Sequence, residues 1–575
     1  GAVKSALAAL MLALPLAAQA LPSFEDVRAA HRPSDLTLLD RHGVPLQTLR
    51  VDTTVRRLEW VPIAETSPAL LRAIVLSEDK RFHEHSGVDW RAVAASAWGN
   101  LWNTRTRGAS TLTMQLAGLL DDGLARPAGG RSVAAKLGQA FTATQLERAW
   151  SKSQILEAYL NSVPLRGELV GVGAIAQTLF AKQASGLDDT EAAIIAALVR
   201  APNAAPERVA QRACEVLKQQ ALSCDGLAVI TQAALARRGG MPLGEQLAPH
   251  FARQVLDPAG APRQASTLDA RVQRLAIAAL RRQLAELSGR NVEDGAIVVL
   301  DNASGAPLAW VGANGATSAA AQVDGVLARR QPGSTLKPFV YELAFERRLL
   351  TPASLLDDSP AQIATAAGLY LPQNYDRDFK GWVSVRTALG ASLNVPAVRT
   401  GAMLGPDALF ARLNDFGLAL AESGGYHGPA LALGSADVTL LALTNAYRTL
   451  ANRGLFSAPA LRGEKQATQR VAEAAAVHLV TDILADNAAR VRTFGFDSAL
   501  ATRGFAAVKT GTSKDLRDNW CVGFTERFTV AVWVGNASGA PMHAVSGISG
   551  AAPIWHALVG ALHEGRPSRP PATAP

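Results

Sequence analysis

The sequence predicts a multidomain α+β chain: a mainly helical first part, then a helix-and-sheet sandwich, behind an apolar N-terminal segment. Three observations carry this. The chain has 575 residues, 48% hydrophobic and 18% charged, which is enough for two or more cores and too apolar for disorder. From about 58 to 218 helical periodicity dominates, as in 190–199 with its alanine-rich apolar face. Further on, two pairs of apolar runs straddle turns: 296–300 and 307–311 around Asn302-Ala303-Ser304-Gly305, and 520–524 and 528–534 around Thr525-Glu526-Arg527. With a strand at Lys509 these predict five antiparallel strands, with helices between Lys337 and Asp486.

Taken in order, residues 1–24 form a membrane anchor or signal segment. No charge occurs over 5–24, Lys4 precedes the apolar run, and Ala18-Gln19-Ala20 reads as a signal-peptidase site with Pro15 inside the run. A cleaved signal and a retained anchor both imply export. Residues 25–219 make the first domain, opening on a partly extended lead-in over 23–57. The connection spans 220–265, with Arg237-Arg238-Gly239-Gly240 and Asp257-Pro258-Ala259-Gly260 as breakers. The second domain covers 266–562. The tail 563–575, with Arg566-Pro567-Ser568-Arg569-Pro570-Pro571, reads as disordered.

The formal charge of +8 suits an anionic membrane surface or a pyrophosphate lipid. Nucleic acid is excluded as a partner: no binding motif occurs, and 6% aromatic content offers little for base stacking. Three cysteines exclude a disulfide framework; pairing of Cys214 with Cys224 is open and leaves Cys521 odd.

Residues 331–338 read Gln-Pro-Gly-Ser-Thr-Leu-Lys-Pro. Ser334 and Lys337, three apart at a helix start, share one face, so the amine can sit beside the hydroxyl and take its proton. Pro338 belongs in a first turn and places that start near Ser334. An ordinary N-cap is the plainer reading of this motif alone. Downstream, Ser392-Leu393-Asn394 adds a hydroxyl and an amide. Lys509-Thr510-Gly511-Thr512 adds a cation on a strand edge, a glycine through which a ligand can approach the backbone, and two hydroxyls. The three elements stand in the order of the penicillin-recognising serine acyl-transferases, which favours a nucleophilic Ser334.

The first third carries a separate constellation. Glu78 to Gly87 packs carboxylates, cations and imidazoles into ten residues. His83 and His85 are two apart, a strand-like spacing, and no further ligand pair follows at zinc-like spacing, so a metal site is disfavoured. A solvated charged turn is the remaining plain reading. Three more motifs follow: Gly108-Ala109-Ser110-Thr111-Leu112-Thr113-Met114-Gln115-Leu116, then Ser151-Lys152-Ser153-Gln154-Ile155-Leu156-Glu157-Ala158-Tyr159-Leu160-Asn161, then Gly171-Val172-Gly173-Ala174. Arg212 with Val216-Leu217 closes the series.

Together these motifs resemble the class A (bifunctional) penicillin-binding proteins, nearest the 1C type. About 40–219 resembles the lysozyme-like lipid II glycosyltransferase domain, and about 267–562 the β-lactamase-like transpeptidase domain. The 1C wording lies in Gln322-Val323-Asp324-Gly325 with Arg329-Arg330, in Pro372-Gln373-Asn374-Tyr375-Asp376, and in Leu431-Ala432-Leu433-Gly434-Ser435. The resemblance implies that Glu78 deprotonates the acceptor sugar 4-hydroxyl, with Arg131 and Lys136 on the leaving pyrophosphate. Asp79, His85, Ser110, Thr111, Gln115 and Gln139 would bind substrate. No cofactor is implied beyond a divalent cation, Mg or Mn, allowed for in glycosyl transfer.

In the second domain the resemblance implies an acyl-enzyme on Ser334 from the penultimate D-Ala of a stem peptide. Lys337 would be the general base, Ser392 and Asn394 would relay protons and hold the substrate amide, and Lys509 would hold the terminal carboxylate. Thr510, Gly511 and Thr512 would line the strand, and the N–H groups of Ser334 and Thr512 would form the oxyanion hole. One position departs from the family pattern Arg-Lys-x-x-Glu: here it reads Ala135-Lys136-Leu137-Gly138-Gln139, a neutral amide that cannot hold a metal as a carboxylate does.

Implied partners are lipid II, nascent glycan strands, stem peptides, the inner membrane and cell-wall synthesis proteins, with β-lactams and moenomycin as inhibitors. The implied location is single-pass in the bacterial inner membrane, with both domains in the periplasm. Many 1C-type proteins carry a further C-terminal β-domain, which is not expected in this sequence. A penicillin-binding sensor with weak turnover is the alternative function. A β-lactamase is disfavoured by Ser392-Leu393-Asn394 where Ser-Asp-Asn would stand.

Overall fold

The structure, a computed structural model, describes residues 21–94, 110–121, 133–237 and 245–572, with backbone alone over 133–137. The chain divides into two compact units: Gly1–Leu36 with Arg50–Leu243, and Thr37–Leu49 with Gly244–Pro575.

The first unit is helical. Its elements are α1 (Phe24–Ala30), α2 (Pro68–Glu78), α3 (Leu112–Leu120), α4 (Val133–Ala149), α5 (Lys152–Ser162), α6 (Val172–Phe180), α7 (Asp189–Arg200), α8 (Pro206–Gln219) and α9 (Leu227–Ala236). Local chemistry sets the starts. Ser151 with Gln154 and Asp188 with Glu191 form reciprocal capping boxes, and α2 and α8 open on proline, whose missing N–H costs nothing there. The alanine-rich face read from 190–199 is the centre of the core: Ala192 to Leu198 of α7 are all buried, packed between α2 and α8. At such small residues helices approach closely, and α2 is thereby held rigidly up to Glu78.

Two expectations for this unit change. The lead-in contains α1, capped by Ser23 and Asp26, because Phe24 finds an aromatic socket between Trp60 and Trp150 with centroids 6.0 and 5.6 Å away. The connection does not begin at 220. Helix α9 buries Leu227 and Ala234 in the first core, and a disulfide joins Cys214 of α8 to Cys224 just before α9. The pairing left open by the sequence is made, and Cys521 stays free and buried.

The second unit takes back part of the lead-in. Strands β1 (Asp35–Leu39), β2 (Pro45–Arg50) and β3 (Arg263–Ala265) form a small sheet in the order β2-β1-β3, with β1 parallel to β3. Residues 37–49 thus belong with the second unit. Their partner is more than 200 residues away, and a pairing so remote leaves no local periodicity to read.

The main sheet is antiparallel, in the order β8-β9-β10-β4-β5: β4 (Asp294–Asp301), β5 (Pro307–Val311), β8 (Ala507–Thr512), β9 (Asp518–Phe524) and β10 (Phe528–Gly535). These are the five strands expected. Strands β6 (Leu355–Asp358) and β7 (Gly381–Ser384) pair separately. The helices are α10 (Pro249–Val255), α11 (Ala270–Glu286), α12 (Lys337–Glu346), α13 (Val385–Gly390), α14 (Asn394–Leu404), α15 (Pro406–Asp415), α16 (Leu440–Ala451), α17 (Ala474–Ala485), α18 (Asn487–Phe494) and α19 (Ala552–Leu562). Helices α11 and α19 cover one sheet face, and α16 and α17, with α12 beyond, cover the other. Both faces being covered explains why β4, β9 and β10 read as continuous apolar runs.

The tail is held as far as 572. Ser568 is buried, its carbonyl accepts from Phe505 N–H at 3.0 Å, its hydroxyl accepts from Glu526 N–H, and Arg569 pairs with Glu526. Composition predicted disorder here; backbone partners supplied by the rest of the unit overturn it. The apolar segment 1–20 lies outside the described residues. Among the described residues no helix is long and apolar enough to cross a membrane.

Candidate active sites

In the first unit Glu78 ends α2. Its Oε2 accepts from Gln115 Nε2 of α3 at 3.2 Å and its Oε1 from Ser77 Oγ at 3.1 Å. Gln115 is fixed in turn, its Oε1 accepting from the Tyr159 hydroxyl of α5 at 2.9 Å. The carboxylate is therefore oriented by a three-helix chain of bonds.

The residues after Glu78 form a turn, not a strand, and His85 has a clear partner. Gly87 N–H donates to its Nδ1, so its Nε2–H donates to Asp79, 2.9 and 3.0 Å from the two oxygens. Asp79 also accepts from Leu112 N–H at the start of α3. Both residues are buried and commit their polar atoms to tying the turn to α3. Thr111 caps α3 through Met114 N–H and donates to Gly87 O at 2.6 Å. Ser110 is half-buried just before it. Gln139 lies buried against α3, its Nε2 2.6 Å from where a β-carbon on Gly118 would stand. Arg131 and the side chain of Lys136 lie outside the described residues. Sequence reasoning missed Glu147, which accepts from Thr113 Oγ1 at 2.6 Å and from Lys152 Nζ at 2.7 Å, while Lys152 also donates to His85 O. Nothing local singles it out among other helical glutamates. Among the described residues no three carboxylate, imidazole or thiolate groups converge as metal ligands, since Asp79 and Glu147 are already spent and position 139 is neutral.

In the second unit Ser334 lies in a 3₁₀ turn, Gly333–Leu336, that runs into α12 at Lys337, with Pro338 in its first turn. The expected placement on an α-helix becomes a tighter one, and 3₁₀ geometry stacks i over i+3. Lys337 is fully buried. Its Nζ lies 2.8 Å from Ser392 O, 2.7 Å from Asn394 Oδ1 and 3.1 Å from Ser392 Oγ, with no such bond to Ser334. Lys509 Nζ, also buried, donates to the same Ser392 Oγ at 2.7 Å and to Thr510 O at 2.9 Å. The Ser392 hydroxyl thus bridges two lysines.

Electrostatics divide their roles. Burial, reinforced by Lys509, holds Lys337 well below the usual lysine range, which favours its neutral amine. A neutral amine gives its two N–H groups to the Ser392 and Asn394 oxygens, and its lone pair can take a proton through the Ser392 hydroxyl. Burial lowers Lys509 to about 7, leaving it charged below that pH. Acylation by an anionic donor is therefore expected to fall as pH rises through about 7, where Lys509 loses its proton, and Lys509→Arg should carry that limb above pH 9. Stopped-flow rates against pH check this; an unmoved limb would refute it.

Ser392 is backbone-strained. Ser392 N–H bonds Leu389 O and Leu393 N–H bonds Ala388 O, the Schellman end of α13, which puts Ser392 at φ +57°, a position suited to glycine. Both Ser392→Gly and Ser392→Ala lose the bridging hydroxyl, but the glycine variant is expected to be more stable than the alanine one by about 1 kcal/mol. Equal or reversed stabilities by denaturant titration would contradict the assigned strain.

The edge strand β8 lies against the Ser334 turn. Ser513 N–H bonds Asp518 O, so by antiparallel alternation Thr512 turns its N–H and C=O to the open edge. A β-carbon on Gly333, at φ +57°, would stand 2.8 Å from Thr512 O. One on Gly511 would stand 2.7 Å from both Pro332 O and Thr335 Cγ2. The close approach at Gly511 is thus made by the serine turn, where the sequence suggested a ligand. Thr510 is buried, and the Thr512 hydroxyl accepts from Gly547 N–H.

Comparison with known proteins assigns a family to each part of the chain. A family profile described as Transglycosylase matches residues 42–221, and one described as Penicillin binding protein transpeptidase domain matches 295–559. Penicillin-binding protein 1C of Escherichia coli is 34% identical over 508 residues, 86% of this chain. The chain belongs to the class A penicillin-binding proteins. It is of the 1C type by that likeness, and it spans 64% of that relative's length. Penicillin-binding protein 1B of Vibrio cholerae is 30% identical over 544 residues, covering 84% of this chain and 66% of the relative. The crystal structure of penicillin-binding protein 1A from Haemophilus influenzae shares the fold, with a TM-score of 0.64 at 18% identity over 95% of this chain and 94% of that one. Both profiles include the residues built into the sites above, from Glu78 to Gln139 and from Ser334 to Thr512.

Proposed function

We propose that the chain is a bifunctional peptidoglycan synthase. The first unit would polymerise lipid II, and the second would cross-link stem peptides through an acyl-enzyme on Ser334. The observation that carries the reading is the convergence of Lys337 and Lys509 on one hydroxyl beside the Ser334 turn. It supplies a neutral base, a proton path and a carboxylate-binding cation within a few ångströms. Thr512 N–H on the open edge and Ser334 N–H supply the oxyanion donors.

In the first unit Glu78 would be the general base for the acceptor 4-hydroxyl, held by Gln115. A divalent cation enters this reading only as a companion of the donor pyrophosphate, and no step is routed through it. β-Lactams would acylate Ser334 and moenomycin would block Glu78's cleft. Residence in the inner membrane with both units in the periplasm is part of the same proposal; the Cys214–Cys224 bridge, typical of oxidising compartments, supports it. The sensor alternative needs only the Ser334 pocket and leaves the Glu78–Gln115–Tyr159 chain without a purpose.

The test is a pair of assays on detergent-purified protein: labelled lipid II read as glycan ladders with and without moenomycin, and labelling by a fluorescent penicillin. Moenomycin-sensitive ladders, and labelling that disappears in Ser334→Ala, are expected. Absent ladders across metals, lipids and pH would remove the polymerase half, and labelling that persists in Ser334→Ala would remove the nucleophile.

A further inference from the structure

Helix α14 begins at Asn394, and its own N-cap, Leu393, has no side-chain oxygen to offer the first N–H groups. Those donors are capped from elsewhere. Asn374 Oδ1 accepts from Asn394 N–H at 2.9 Å and from Val395 N–H at 3.3 Å. Its Nδ2 donates to both oxygens of Asp358, each at 2.9 Å, and to Asp378 O at 2.8 Å. Only this amide orientation satisfies all five partners. Asn374 and Asp358 are both buried, and Asp358 is anchored further by Lys380 N–H at 2.8 Å. The neighbouring Gln373 O accepts from Asn394 Nδ2 at 2.8 Å, which leaves Asn394 Oδ1 to face Lys337.

We infer that Asn374, held by Asp358, is a positioning residue for acylation: it fixes the start of α14 so that Asn394 presents its oxygen to Lys337. This rests on the acylation reading of Ser334. Pro372 to Asp376 stood out in the sequence only as a likeness of wording; the bonds give its asparagine a task. Lys337 is faced by Ser392 from the turn before α14, by Asn394 from α14 and by the charged Lys509 from β8. Glu342, one turn on along α12, is paired with Arg412 of α15. An acceptor at Asn394 Oδ1 favours the ammonium form of Lys337, so withdrawing it populates the neutral amine at lower pH.

The experiment measures the rate of labelling by a fluorescent penicillin against pH in the full chain, with Ser334→Ala as control. Asn374→Ala is expected to slow acylation about 100-fold, the loss typical of a misplacement near 1 Å. It should also move the acid limb of the rate to lower pH. Exchanging the pair, Asp358→Asn with Asn374→Asp, restores an acceptor to the helix and an amide to its partner, and should recover most of the rate and return the limb. Where the alanine variant does not fold, Asn374→Ser, which keeps one oxygen for the helix, gives the same comparison. A wild-type rate in Asn374→Ala, or in Asn374→Ser where that variant stands in for it, overturns the inference, as does an exchanged pair that recovers nothing, or a slowed rate with the limb unmoved and no more loss than the unfolded fraction. Failure of the unchanged chain to label overturns the acylation reading instead.

Discussion

Lys337→Met is expected to slow acylation of Ser334 by about 10²–10⁴-fold, the range for loss of a general base. Methionine nearly matches the lysine stem in volume and has no basic atom, so the side chain continues to fill its fully buried site between α12 and the Ser392 turn. Two effects on stability oppose one another. The variant no longer buries an amine, but Ser392 O and Asn394 Oδ1 lose a donor, at about 1–3 kcal/mol for each unpaired group. The pH dependence separates them. Lys337 has its proton affinity lowered on folding, so the unfolded chain binds more protons and the native protein gains stability as pH rises toward 10.5. The methionine variant lacks that slope, and its stability relative to wild type should improve as pH falls from about 10 toward neutrality. Penicillin labelling and denaturant titrations at several pH values read both effects. Labelling at the wild-type rate would show that another group takes the serine proton.

Glu78→Gln is expected to cut polymerisation of lipid II by about 10²–10⁴-fold and to leave penicillin labelling unchanged. The amide keeps the shape of the carboxylate and can still bond Gln115, so α2, α3 and α5 keep their packing and the melting temperature should hold. What is lost is basicity at one oxygen. Glycan ladders at the wild-type rate would place the base elsewhere, and Glu147 would not be the replacement, because Thr113 and Lys152 already occupy it. A loss of both activities would mean that the substitution disturbs more than the first site.

The residues that converge in the two candidate sites were legible because they lie in short motifs. Ser334 with Lys337, Ser392 with Asn394, and Lys509 each need particular residue types at particular spacings, and such spacings survive in one dimension. Glu78 with Gln115 was legible the same way. The five-stranded sheet was read from two hairpins because hairpin turns are local. The first compact unit differs from the expected 25–219 for the converse reason: residues 37–49 leave it because β1 pairs with a strand more than 200 residues later, and α9 joins it through a disulfide and two buried apolar side chains. The tail was misread because composition records solvation preference and takes no account of partners such as Phe505 N–H.

The sequence by itself determined which groups are available for the proposed chemistry and in what order they stand along the chain, since acid, base, nucleophile and cation are properties of residue types. Only the tertiary structure decided their protonation and aim. Lys337 holds its proton less tightly because folding buries it beside a second lysine, and Ser392 reaches both lysines because a helix end forces it into a left-handed backbone. Asn394 faces its partner because Asn374, twenty residues earlier, caps its helix. Burial and strain are collective quantities, set by everything packed around a residue, and no stretch of sequence carries them alone.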